Sequence, residues 1–110
     1  MKIAELEQRA DEAAELLAAM ANTKRLLILC HLLEGELSVG ELVERVQLAQ
    51  SPLSQHLSKL RALKLVATRR DGQQVLYRLA STEVVRVLTT LHGIYCGGGA
   101  VPETAMEAGE

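Results

Sequence analysis

Between Lys2 and Met20 the apolar residues Ile3, Leu6, Ala10, Ala13, Leu17 and Met20 recur at steps of three and four, which predicts one amphipathic helix with an acidic opposite face. Asn22 or Thr23 then offers an N-cap. A second helix is expected to run to about Glu34, with Leu26, Leu29, Cys30 and Leu33 on a common face and Gly35 as its C′ terminator. Ser38-Val39-Gly40-Glu41 has the form of a capping box, in which hydroxyl and carboxylate satisfy early backbone donors reciprocally, and opens a short helix to about Val46. After the turn Gln47-Leu48-Ala49-Gln50, Ser51-Pro52 reads as an N-cap with proline at the first helical position. That helix is expected to reach about Leu63 and to bury Leu53, Leu57 and Leu60. Two short helices joined in this way make a helix-turn-helix.

The pattern then changes period. Val66–Arg70 and Gln73–Leu79 flank Asp71-Gly72, a pair that favours a tight hairpin because glycine accepts positive φ. Ser81 can cap a last helix to about Tyr95, rich in Val84, Val85, Leu88, Leu91 and Ile94, and Gly97-Gly98-Gly99 breaks it. The order is α-α-α-α-β-β-α: a mainly helical, winged helix-turn-helix domain over residues 1–96, with an acidic, disordered tail expected over 97–110. The last helix is apolar on more faces than one small core can cover, which points to a dimer paired through the first and last helices.

Composition narrows the class. With 48% hydrophobic residues but two Tyr, no Phe and no Trp, the core of this 110-residue chain must be aliphatic. No run approaches the roughly eighteen apolar residues of a membrane span. The start, Met1-Lys2-Ile3-Ala4-Glu5, is too polar for a signal peptide, so a cytoplasmic protein without membrane contact is expected. Net charge is −2, but it is unevenly spread. Arg45, Lys59, Arg61, Lys64, Arg69, Arg70 and Arg78 face only Asp71 across the middle of the chain, while both ends are acidic. A localised basic block coinciding with a helix-turn-helix is the electrostatic footprint of a DNA-binding module.

The second helix of such a motif offers its N-terminal residues to base edges in the major groove. Here these are Ser51, Ser54, Gln55 and His56, with Lys59 one turn on. Gln can bond adenine bidentately, Ser can reach base or phosphate, and His can donate to phosphate or guanine. Arg69 and Arg70 before the hairpin turn, with Gln73 after it, suit a wing that clamps phosphates or enters the minor groove. A generic polar helix surface is the plainer reading of the helix alone. The Arg and Gln residues at the wing favour the DNA-binding one. A protein-interaction module without DNA binding would leave the basic block unexplained.

The stretch Leu48–Leu60 (LAQSPLSQHLSKL), then Leu65-Val66, then Arg69–Tyr77 (RRDGQQVLY), resembles the ArsR–SmtB family of bacterial repressors, over roughly Leu16 to Cys96. The resemblance implies a homodimer that binds a palindromic operator and leaves it when an effector arrives. Where the family usually has Gly after the recognition helix, this chain has Lys64, which would then carry a left-handed backbone at some cost.

The effector is the open question. The family's paired-Cys metal site would fall on Val39–Val46, which holds no thiol. Its zinc site on the last helix is represented only by Glu83 and His92, too few for tetrahedral ligation. No metal or other cofactor is therefore expected. Cys30 taken alone suits burial as a small hydrophobe, whereas Cys96, before three glycines, should be accessible. His31 and His92 read as ordinary helix residues, able at most to tune a nearby thiolate. Leu27–Cys30 after Lys24-Arg25, with Ile94-Tyr95-Cys96 closing the last helix, resembles the two-thiol branch of the family typified by SqrR, BigR and HlyU proteins. By that likeness Cys30 and Cys96 are regulatory thiols. Persulfides or oxidants would join them by a di-, tri- or tetrasulfide bridge and release the DNA. A metal- or metalloid-responsive repressor using Cys30, Cys96 and His92 is the alternative. A thiol oxidoreductase ranks lower, since there is no C-x-x-C and no orienting third group. The expected protein is not an enzyme.

Overall fold

The computed structural model describes residues 2–97, so all but Gly97 of the expected tail lies outside the described residues. Where one N-terminal helix was expected there are two, α1 (Ile3–Glu7) and α2 (Ala10–Met20). Arg9 leaves helical geometry (φ −120°, ψ 17°) and its N–H closes on the Leu6 carbonyl at 3.0 Å. Nothing holds the joint straight: α1 buries no residue, and a helix this short is not stable by propensity alone. The Arg9 side chain instead pairs with Glu12 at 2.7 Å, inside the first turn of α2.

Helix α3 (Thr23–Leu32) starts where expected, with the Asn22 side chain accepting from the Arg25 N–H at 3.1 Å. It ends short of Glu34. The N–H groups of Leu33 and Glu34 turn back onto Cys30 and His31, and Gly35 (φ +142°) lies past the C′ position. The buried face is Ile28, Leu29 and Leu32, while Cys30 and Leu33 are at the surface, so the helix is rotated from the face expected for it. Two cations explain the setting. Lys24 Nζ donates to the Val46 carbonyl at 2.9 Å, and Arg25 Nε donates to that of Ala19 at 2.7 Å. Each places positive charge on the negative end of a neighbouring helix.

A strand that period-two reasoning cannot find, β1 (Leu37–Ser38), precedes α4 (Val39–Val46). Then follow α5 (Gln50–Ala62), the strands β2 (Val66–Asp71) and β3 (Gln74–Leu79), and α6 (Thr82–Tyr95). The antiparallel sheet has the order β1-β3-β2, with Leu37 opposite Tyr77 and Ser38 opposite Leu76. Asp71 pairs with Gln74, so the turn residues are Gly72 and Gln73 rather than Asp71 and Gly72. Gly72 has φ +64° at the first turn position, the II′ arrangement.

The core is aliphatic, as composition required. Ile28, Leu29, Leu42, Leu53, Leu60 and Val84 are completely enclosed. Lys64 does carry a left-handed backbone (φ +62°). Its N–H bonds the Arg61 carbonyl, the Leu65 N–H bonds that of Leu60, and both leucines are buried: a Schellman end to α5 built without glycine. Among the described residues no helix is long and apolar enough to cross a membrane.

Candidate nucleic-acid interface and thiol pair

The helix-turn-helix is fastened at both ends of its first helix. At the start of α4 the Ser38 hydroxyl accepts from the Glu41 N–H at 3.2 Å, and the Glu41 carboxylate accepts from the Ser38 N–H at 3.0 Å. These bonds hold the Glu41 carboxyl below its ordinary acidity range. At its end Gln47 adopts a left-handed conformation (φ +55°), and Lys24 occupies the Val46 carbonyl.

Helix α5 begins two residues earlier than its sequence suggests. Ala49 is the N-cap, Ser51 lies inside the first turn, and Pro52 is third in the helix. Proline is tolerated there because first-turn N–H groups have no intrahelical partner. Leu53, Leu57 and Leu60 are buried as expected. The opposite face is an open, shallow polar surface lined by Gln50, Ser51, Ser54, Gln55 and Ser58. Lys59 is exposed beside it. Gln50 and Ser58 were missed, although each stands four residues from Ser54 and shares its row. His56 departs from the strip. It is half-buried, and burial first, then the charges of Arg25 and Lys59, push its acidity toward the neutral imidazole.

The wing separates its two arginines. Arg69 Nε donates to both Glu36 carboxylate oxygens (2.7 and 3.0 Å) and Nη2 donates to one (2.9 Å). Arg70 is exposed and has no hydrogen-bond or ion-pair partner among the described residues. Gln73 stands in the turn itself, not on the second strand.

Cys30 lies in the last turn of α3 and Cys96 caps α6, its N–H bonding the His92 carbonyl at 2.8 Å. Both thiols are free and exposed, so the burial expected of Cys30 taken alone does not hold in the single chain. Partial desolvation raises the Cys30 thiol above its ordinary range, and the charge of Cys96 raises it further. Large apolar side chains are also exposed on the same helices, Leu27 and Leu33 on α3 and Ile94 and Tyr95 on α6, and Ile3, Leu6 and Leu17 on the N-terminal helices. No group of three or more His, Cys, Asp or Glu side chains suited to a metal ion occurs among the described residues.

Residues 22–68 match the model of the arsR family of bacterial regulatory proteins. The chain is 53% identical over 96 residues to the transcriptional activator HlyU of Vibrio cholerae, covering 87% of this chain and 89% of that one. The structure of reduced HlyU from the same organism superposes with a TM-score of 0.79 at 54% identity, over 84% of this chain and 97% of that one. The transcriptional repressor BigR of Xylella fastidiosa superposes with a TM-score of 0.84 at 40% identity, over 87% and 98% of the two chains. A homodimeric winged helix-turn-helix DNA-binding domain from Mycobacterium bovis gives a TM-score of 0.70 at 30% identity, over 80% and 82%.

Proposed function

Because the chain belongs to the arsR family of bacterial regulatory proteins, we propose that it is a homodimeric repressor that binds a palindromic operator while its thiols are reduced and leaves it once Cys30 and Cys96 are bridged. It is a regulator with a winged-helix fold, not an enzyme. The α5 strip of Ser51, Ser54 and Gln55, with His56 and Lys59 beside it, reads the major groove. The wing, with Arg69 and Arg70 on β2 shortly before the hairpin turn and Gln73 in the turn itself, holds the flanking backbone. The family includes proteins named both activator and repressor. Repression is favoured here by the operator-release chemistry that the thiols permit.

The observation that carries the switch is the presence of two free, exposed thiols, one in the last turn of α3 and one capping the end of α6. A low-molecular-weight persulfide is the oxidant. One protein thiolate attacks its outer sulfur, the persulfide S–S bond breaks, and the departing thiolate takes the proton to leave as a thiol. The second protein thiol then attacks the sulfur of the modified cysteine and expels hydrogen sulfide, closing a disulfide. When both thiols are first persulfidated, the same expulsion leaves a trisulfide. Joining α3 to α6 would alter the dimer and shift the paired recognition helices from operator spacing.

Peptide mass spectrometry after glutathione persulfide treatment tests this. A linked peptide pair containing Cys30 and Cys96, alone or carrying added sulfur, is expected. Separate persulfidated peptides with no linkage would refute the bridge.

A further inference from the structure

The hairpin register places Arg69 opposite Leu76 and Arg70 opposite Val75. Successive strand residues leave opposite faces, so the two guanidinium groups cannot close on one phosphate. The strand order adds a second constraint. Arg69 is on one edge strand, β2, while Glu36 immediately precedes the other edge strand, β1. The Arg69 side chain therefore reaches its carboxylate across the middle strand, linking residues 33 apart in sequence. Arg78, on that middle strand, adds further positive charge near Glu36. A hairpin of two strands is marginal in water, and the third strand here is only two residues long. The wing consequently has little besides this pair to fix its angle near the tip.

We infer that Glu36 is a positioning residue for DNA binding: by strapping Arg69 across the sheet it sets the angle of the wing, so that Arg70 and Gln73 meet the duplex while Arg69 is neutralised within the protein. This rests on the DNA-binding reading above and reassigns Arg69 within it. Arg70 becomes the wing's phosphate contact. The pair is partly exposed, with side-chain accessibilities of 50% for Arg69 and 29% for Glu36, so its loss should loosen the wing without unfolding the domain.

The test is the salt dependence of binding to a duplex that the wild-type protein selects from a random-sequence pool. Glu36→Gln removes a negative charge, so simple electrostatics predicts tighter binding. The strap predicts weaker binding, by about fivefold. Arg69→Gln should weaken binding similarly while leaving the slope of log affinity against log salt unchanged, whereas Arg70→Gln should lower that slope by about one unit. The charge-swapped protein, Glu36→Arg with Arg69→Glu, should recover most of the affinity, although it places an anion at position 69. Tighter binding by Glu36→Gln, a flattened slope for Arg69→Gln, unaltered affinity in both, or failure of the swap would overturn the strap. Wild-type protein that selects no duplex would instead overturn the DNA-binding reading and the strap with it.

Discussion

The helix-turn-helix and the flanking helices α1, α2, α3 and α6 are built to different degrees of completion. In the first, Leu42, Leu53 and Leu60 have no exposed surface, both ends of α4 are fastened, and the end of α5 is closed by a Schellman motif. In the second, Ile3 is 59% exposed, Ile94 54% and Tyr95 80%, and both thiols are open. One region is finished within a single chain. The other leaves apolar side chains exposed, which the proposed dimer would cover, and the proposed sensing thiols belong to two of its helices. On the proposed reading, a chemical change there acts where packing is least settled, while the proposed recognition helix α5 stays held by its buried leucines.

The contrast is sharpest when the same kind of side chain is altered in each region. Leu53→Ala should cost roughly 3 kcal/mol through lost burial and a cavity, lowering the melting temperature by about 15 °C. A loss under about 1 kcal/mol would show that the recognition helix is not core-anchored. Ile94→Glu should leave the far-ultraviolet circular dichroism intact but weaken dimerisation by about thirtyfold or more. Sedimentation of an unaltered dimer would break the assignment of the flank as interface.

A smaller effect is expected at the capping box. Ser38→Ala should cost about 1 kcal/mol. Because the Glu41 carboxyl is held below its unfolded value, its contribution is complete above the unfolded carboxylate range and disappears as pH falls through the folded value. Glu41→Gln should therefore be less stable than wild type at neutral pH and equal to it in strong acid. A stability difference that persists unchanged in acid would contradict the carboxylate's role. The smallest change expected is a gain. Lys64→Gly relieves a left-handed lysine but frees the unfolded chain, for a net stabilisation of about 0.5 kcal/mol in denaturant melts. A loss of stability would mean that the Lys64 side chain contributes more than its backbone costs.

What could be read from the residues follows from how local the cause is. The leucine spacing of α5, the capping box and the Lys64 backbone depend on neighbours within one or two turns, and all hold in the structure. The strand β1 is too short to show alternation and exists only through its pairing with Tyr77 and Leu76. Ala49 takes the N-cap place expected of Ser51, for which the structure offers no partner contact as the reason, and the hairpin turn falls on Gly72-Gln73 because the strand pairing fixes it more firmly than side-chain preference does. The partner of Arg69 and the clamps made by Lys24 and Arg25 are tertiary contacts without local pattern. The exposure of Cys30 was not legible for a related reason: the buried face of its helix is Ile28, Leu29 and Leu32, set beside those tertiary clamps, and not the face the spacing suggests.

Release of DNA by thiol bridging is the central claim, and fluorescence anisotropy of a labelled, protein-selected duplex measures it directly. Reduced wild-type protein should bind, and glutathione persulfide should weaken that binding by about tenfold or more, within the usual range of coupling between two sites. Cys30→Ser and Cys96→Ser should each bind as tightly as reduced wild type and fail to respond. Normal release of either variant, or release by stoichiometric arsenite or zinc with none by persulfide, would contradict the account.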